Sequence, residues 1–214
     1  MNIITKKVRL ITAPVPFVGS TFRIHVKDDD LQWGIYSGTL AEGIDAVDID
    51  WGDGEHDSYA GDDSIVHTYE HAGEYLVRMA EGVSILSVTG NRGFVDISAK
   101  KLLEFSITDR KMTTLTQFAF NGCCNLRRFS IAGSGVNILR RLVFQNCTSL
   151  KGRIDFPNVN NYILAESAKP LTGCIGGITE IHFDAAMAEV IGQSADFLKD
   201  PSLGTGTAVV SFDL

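Results

Sequence analysis

The chain has 214 residues and a formal net charge of −7, with 44% hydrophobic and 21% charged residues. That length allows one large domain or two small ones, and no run approaches the roughly 18 apolar residues of a membrane span, so no membrane insertion is expected. Residues 1–95 hold 7 Lys/Arg against 15 Asp/Glu and residues 96–214 hold 12 against 11, a balance that argues against nucleic acid and against anionic membrane surfaces, both of which are bound through cationic patches.

In chain order, the opening MNIITKKVRLITAPVPFVGS has a Lys6-Lys7 pair, but Arg9, Pro14 and Pro16 interrupt the apolar run that an export signal needs. Its alternation predicts a strand at KKVRLI, and no export signal is recognisable. Further strands are expected at TFRIHVK, AVDIDW, SIVHTY and EYLVRMA, where β-branched and aromatic residues alternate with polar ones. The acidic trio Asp28, Asp29 and Asp30 reads as a solvated turn. VRMAEGVSILSV reads as a hairpin turning at Glu81-Gly82. Short strands this closely spaced predict a β-sandwich over residues 1–92.

Within that segment, IDWGDGEHDSYAGDDSIVHTYEHAGEY concentrates carboxylates, glycines and three histidines. Calcium is the functional rival, because Asp48, Asp50 and Asp53 supply hard oxygen ligands. The EF-hand spacing fails, however: counted from Asp48, the third Asp falls at position 6 and Tyr59 stands at position 12. His67 and His71 are four apart, as in helical zinc motifs, but they lie among strands and lack the motif's glutamate. The expectation is therefore structural: glycines for positive φ, an Asp for backbone amides, and no cofactor.

After residue 95 the rhythm changes to a repeat. LLEFSI from Leu102 and LRRFSI from Leu126 share L-x-x-F-S-I, LKGRIDF from Leu150 carries one extra residue, and ITEIHF from Ile178 keeps the apolar spacing. FAFNGCCNL and LVFQNCTSL superpose with a shift of 24, bringing Phe120 onto Phe144 and Cys123 onto Cys147; LTGCIGGI adds Cys174. Such a period predicts a solenoid in which each unit adds one strand and stacking supplies the core. The cysteines at equivalent positions are expected to form a column of buried free thiols. DAAMAEVIGQSADFLKD reads as a helix and TAVVSFDL as a last strand, together capping the stack over residues 93–214.

Two resemblances follow. Trp51-Gly52-Asp53-Gly54, His67-Thr68-Tyr69 and Ala72-Gly73-Glu74-Tyr75-Leu76-Val77 occur in the order and spacing of the polycystic-kidney-disease (PKD) type of immunoglobulin-like domain. Residues 115–131 and 139–157 resemble BspA-like leucine-rich repeats, including FPN after the third repeat strand. Together they imply a mainly β protein: an immunoglobulin-like β-sandwich, then a short leucine-rich-repeat solenoid with a helical and strand C-terminal cap. Both families occur mainly in cell-surface proteins that contact proteins or glycans, which implies an extracellular binding or adhesion role.

The chemistry in the sequence fits that expectation. AGSGV around Ser134 is not a G-x-S-x-G nucleophile turn, and no phosphate-binding G-x-x-x-x-G-K-[ST] occurs. No enzyme is expected. Residues between the apolar positions of each repeat strand should form an outward, ligand-facing ladder: Glu104, Arg128 and Glu180 in one row, with Ser106, Ser130, Asp155 and His182 in the next. The competing expectation is a structural component of a phage tail or virion appendage.

Overall fold

A computed structural model describes residues 16–61, 63–89, 97–140, 142–159, 161–162, 171, 173–174, 177–184 and 209–212. The expected strand at 6–11 and the expected helix beyond residue 184 lie outside these residues.

The described fold is mainly β, in several sheets. The first half supplies β1 (Gly19–Val26), β2 (Gln32–Ile35), β3 (Ser37–Leu40), β4 (Val47–Asp50), β5 (His56–Tyr59), β6 (Ile65–Thr68), β7 (Gly73–Ala80) and β8 (Val83–Ser87). After a short 3-10 turn at Ala99–Lys101 come β9 (Leu102–Ile107), β10 (Thr114–Leu115), β11 (Arg128–Ser130), β12 (Ile138–Leu139), β13 (Gly152–Phe156), β14 (Asn161–Tyr162), β15 (Ile178–Phe183) and β16 (Val209–Phe212). Alternation places the strands as expected: Phe22, Ile24 and Val26 of β1 are buried, while Arg23 and His25 face outward.

Sheets cross the boundary between the two halves. The six-stranded sheet runs β11-β9-β1-β7-β4-β5, so the first repeat strand pairs antiparallel with β1, Phe105 opposite Phe22 and Glu104 opposite Arg23. The five-stranded sheet runs β14-β12-β10-β8-β3, with β10 parallel to β8. β13, β15 and β16 form a third, parallel sheet, and β2 pairs with β6. A continuous buried cluster extends from Phe22 to Phe183.

The sequence period is written into the parallel ladders. Glu104 faces Arg128 and Phe105 faces Phe129 between β9 and β11, and Thr114 faces Ile138 between β10 and β12, each a step of 24 residues. In-register pairing brings identical side chains together. Phe105 stacks on Phe120 and Phe129 at 4.1 and 5.2 Å, Phe129 on Phe144 at 4.5 Å, and Phe156 on Phe183 at 5.3 Å. No disulfide joins the four cysteines; Cys123, Cys147 and Cys174 are buried and Cys124 is half-buried. The Cys147 and Cys174 thiols donate to the carbonyls of Phe120 and Phe144, one unit back along the stack. Burial pushes the Cys147 thiol well above its ordinary pKa.

The turn at Glu81-Gly82 is not a hairpin. β7 pairs with β1 and β4, whereas β8 pairs with β3 and β10, so the chain leaves one sheet for another at this corner. The reason lies 27 residues away. The carboxylate of Asp109, fully buried, accepts the Gly82 and Val83 amides on Oδ2 at 2.9 and 3.0 Å and the Lys111 amide on Oδ1 at 2.8 Å. Amides committed to a side chain cannot also join a hairpin ladder. Gly82 has φ +143°, and a Cβ there would meet Val47 at 2.7 Å, so the corner requires glycine.

Candidate functional site

Two places in the fold concentrate polar chemistry. The first is the acidic, histidine-bearing segment. Gly52 and Gly54 take φ of 83° and 102°, opening a tight turn after β4. Asp50 accepts the Gly52 amide at 2.8 Å, and Asp53 accepts the Glu55 amide at 3.0 Å and the His67 Nε2 contact at 2.7 Å. The His67 ring lies flat on Trp51 with centroids 5.0 Å apart and meets Tyr69 edge-on at 4.6 Å. The Trp51 indole donates to Asp57 at 2.7 Å, and the Tyr69 hydroxyl donates to the Trp51 carbonyl at 3.1 Å. Partial burial pushes the Asp53 carboxyl up, but the bonds from His67 and the Glu55 amide outweigh it and hold it below its ordinary value. Burial raises the Tyr69 hydroxyl, so it remains a proton donor to the backbone.

These groups brace a turn. Asp50 and Asp53 are committed to amides, to His67 and to Arg78, whose guanidinium lies 3.2 Å from Asp50. His71 is exposed beside Glu70 and does not converge with His67. Among the described residues, no three His, Cys, Asp or Glu side chains gather where a metal ion could be held.

The second place is the outward face of the repeat strands. Glu104 lies opposite Arg23 on one side and Arg128 on the other, with contacts of 3.6 and 2.5 Å. Arg128 holds the Glu104 carboxyl below the ordinary range; the slight burial of Glu104 opposes this, and Arg23 adds to the lowering. Thr21, Ser106 and Ser130 form the neighbouring row. On β13 and β15, Arg153 lies opposite Glu180 at 3.4 Å and reaches Asp155 at 2.7 Å. Asp155 lies opposite His182, whose Nδ1 is 2.7 Å from the Ser211 hydroxyl, and that hydroxyl also donates to Glu180.

Each residue expected on the ladder has a place here, but in two groups. Glu104, Ser106, Arg128 and Ser130 lie together on β9 and β11; Asp155, Glu180 and His182 lie together on β13 and β15. Glu180 faces Arg153, the residue before Ile154, which the expected row had passed over. Where this pairing begins, Gly152 takes φ +74° and the register shifts by one residue on the β15 side, from Gly152 opposite Ile178 to Arg153 opposite Glu180. Arg153, Arg23 and Ser211 were missed. Alternation along TFRIHVK already points Arg23 outward, but its pairing with β9 is long-range and has no local signal.

No ladder joins β11 to β13, although Phe129 and Phe156 approach to 5.7 Å across the seam. Two shallow grooves open on this face, one over β1, β9 and β11 and one across the seam itself. One, of about 450 Å³, is lined by Arg23, Glu104, Arg128 and Phe129; the other, of about 390 Å³, by Phe129, Arg153, Asp155, His182 and Asp184. Ser130 borders both.

Comparison with protein-family models, curated proteins and solved structures finds no match for this chain.

Proposed function

We propose that the chain is a non-catalytic binding or adhesion module, an immunoglobulin-like β-sandwich continued by a short leucine-rich-repeat solenoid whose strand face receives a protein or glycan. The observation that carries this reading is the outward ladder itself. In-register strands hold polar and charged side chains in fixed rows beside two open grooves, an arrangement suited to recognition by an extended surface. The non-catalytic part rests on how the acid–base groups are used. Asp53 and His67 brace a turn, and the face carboxylates lie in contact with arginines.

The test is binding of the purified chain to glycan and protein arrays, with Ser130→Trp as the groove-filling control. Specific binding lost in that variant, with its melting temperature kept, supports the reading. Binding that ignores the substitution would move the site elsewhere, and turnover of any glycan would end the non-catalytic claim.

The sheets that run through both halves also favour a second reading, a rigid structural component of a phage tail or virion appendage. Mass spectrometry of purified particles, beside protease shaving of intact cells, separates the two. Recovery in particles favours the appendage, and release from the cell surface favours adhesion.

A further inference from the structure

Among the described residues, three charged side chains line the groove over β1, β9 and β11: two guanidinium groups, Arg23 and Arg128, and one carboxylate, Glu104. The groove across the seam has the opposite balance, with Arg153 against Asp155 and Asp184. A surplus cation in the first groove runs against the net charge of −7 on the chain. Hydrogen bonding shows the same surplus. Arg128 commits Nη2 to Glu104 at 2.5 Å, while Arg23 Nε lies 3.6 Å from the same carboxylate, beyond a hydrogen bond. Each guanidinium carries about five N–H donors, so most of them have no acceptor among the described residues. Both side chains reach solvent, Arg23 at 46% exposure and Arg128 at 77%.

The ladders fix how these groups are spaced. Arg23, Glu104 and Arg128 stand opposite one another in one row, and Thr21, Ser106 and Ser130 in the next, two residues along the strands. Paired strands lie roughly 4.8 Å apart, so the cationic row spans roughly 10 Å, and the hydroxyl row runs roughly 7 Å from it. Leu76, half-buried and opposite Arg23, adds apolar surface at the β7 end. The volume of about 450 Å³ falls within the roughly 300–1,000 Å³ of small-ligand sites.

A ligand that completes this arrangement brings one anionic group and several hydroxyls. A planar carboxylate matches the guanidinium fork through two parallel hydrogen bonds. Sugar hydroxyls donate and accept as Ser and Thr hydroxyls do. A nucleic acid or a densely sulfated chain would set many charges against one surplus cation and then meet the negative charge of the whole molecule. A protein partner concentrates its binding energy in aromatic or apolar anchors seated in desolvated pockets, whereas this groove is shallow and walled by charges and hydroxyls.

We infer that the groove over β1, β9 and β11 binds an acidic glycan, its carboxylate held by Arg23 and Arg128 and its hydroxyls by Thr21, Ser106 and Ser130. The inference rests on the binding-face reading and names the ligand class of that face. Glu104 holds the two arginines side by side and leaves one positive charge for the ligand.

Isothermal titration calorimetry on the full chain tests it. The ligands are a galacturonic acid trisaccharide and sialyllactose, each beside its carboxyl-reduced, neutral form. At least one acidic ligand should bind, and its neutral form should bind at least about tenfold more weakly, the loss expected for a hydrogen bond to a charged group. Arg23→Gln and Arg128→Gln should each weaken binding by a similar factor with the melting temperature kept, since both side chains are exposed. Arg153→Gln, across the seam, should leave the affinity unchanged. Binding should also weaken between about 50 mM and about 500 mM salt. Equal affinity for the acidic and neutral forms, or indifference to both Arg23→Gln and Arg128→Gln, overturns the inference. Tighter binding of a sulfated trisaccharide overturns the choice of carboxylate. If neither acidic ligand binds while the arrays return a neutral glycan or a protein, this inference falls and the binding-module reading stands. Arrays without any specific ligand remove both.

Discussion

Asp109 offers the sharpest test of how this fold is held. Its side chain is fully buried and accepts three backbone amides, from Gly82, Val83 and Lys111, at 2.8 to 3.0 Å. Asp109→Ala removes all three acceptors and leaves buried donors at the corner where the chain changes sheets. Hydrogen bonds to a charged group contribute about 1.5–3 kcal/mol each, and a stranded buried donor costs about 1–3 kcal/mol. Water entering the vacated space would recover part of this, so a net loss of about 3–5 kcal/mol is expected. For a chain of this size that lowers the melting temperature by about 6–20 °C. Asp109→Asn keeps an oxygen for Gly82 and Val83 but turns an amide donor toward the Lys111 N–H, so it should fall about midway. Thermal and urea melts followed by circular dichroism measure both, with Asp28→Ala in the exposed turn as a control expected to melt like the wild type. A loss below about 0.5 kcal/mol for Asp109→Ala would refute the argument, since exposed substitutions without a mechanism reach that size.

Phe144 sits fully buried among the rings of Phe105, Phe120, Phe129 and Phe156, and Phe144→Ala should cost about 3–5 kcal/mol in a urea titration. Asp53 has its folded-state pKa depressed, so its contribution is fully present above the ordinary carboxylate value and is lost as pH falls through the lower folded one. Melting temperature measured from pH 6 to pH 2 should therefore decline below about pH 4, and Asp53→Asn should be less stable at neutral pH with a shallower acid-side decline. Three of the four cysteines are buried and Cys124 is half-buried, so an aromatic disulfide reagent should titrate Cys124 first in the native chain and all four thiols only in denaturant. Rapid reaction of all four under native conditions would contradict the buried column.

The repeat shows how far local pattern reaches. Leu102, Phe105 and Ile107 against Leu126, Phe129 and Ile131 announced a 24-residue step, and the β9–β11 ladder has that register. Alternation likewise placed β1, β4, β6 and β7, because a strand with one buried face must repeat every second residue. The turn chemistry of Gly52, Asp53 and Gly54 was also legible, because positive φ and a side chain that reaches its own backbone are local properties. The short strands β2, β3, β5, β10 and β12 were not anticipated. β10 and β12 span two residues each, and β2 (QWGI), β3 (SGTL) and β5 (HDSY) lack the apolar alternation that marked the equally short β4 and β6.

The amino-acid pattern alone thus determined which residues face inward, where the repeats fall and which glycines turn the chain, since each depends on neighbours within a few positions. Only the tertiary structure decided which edges meet. β1 takes β9 as its partner some 80 residues on, and Asp109 converts an apparent hairpin into a corner between sheets. β11 and β13 fall in different sheets, which divides the expected ladder into two groups, and β13 brings Arg153 to Glu180. These outcomes arise from long-range hydrogen bonding and register, whose energies depend on groups far apart in the chain and close together in space.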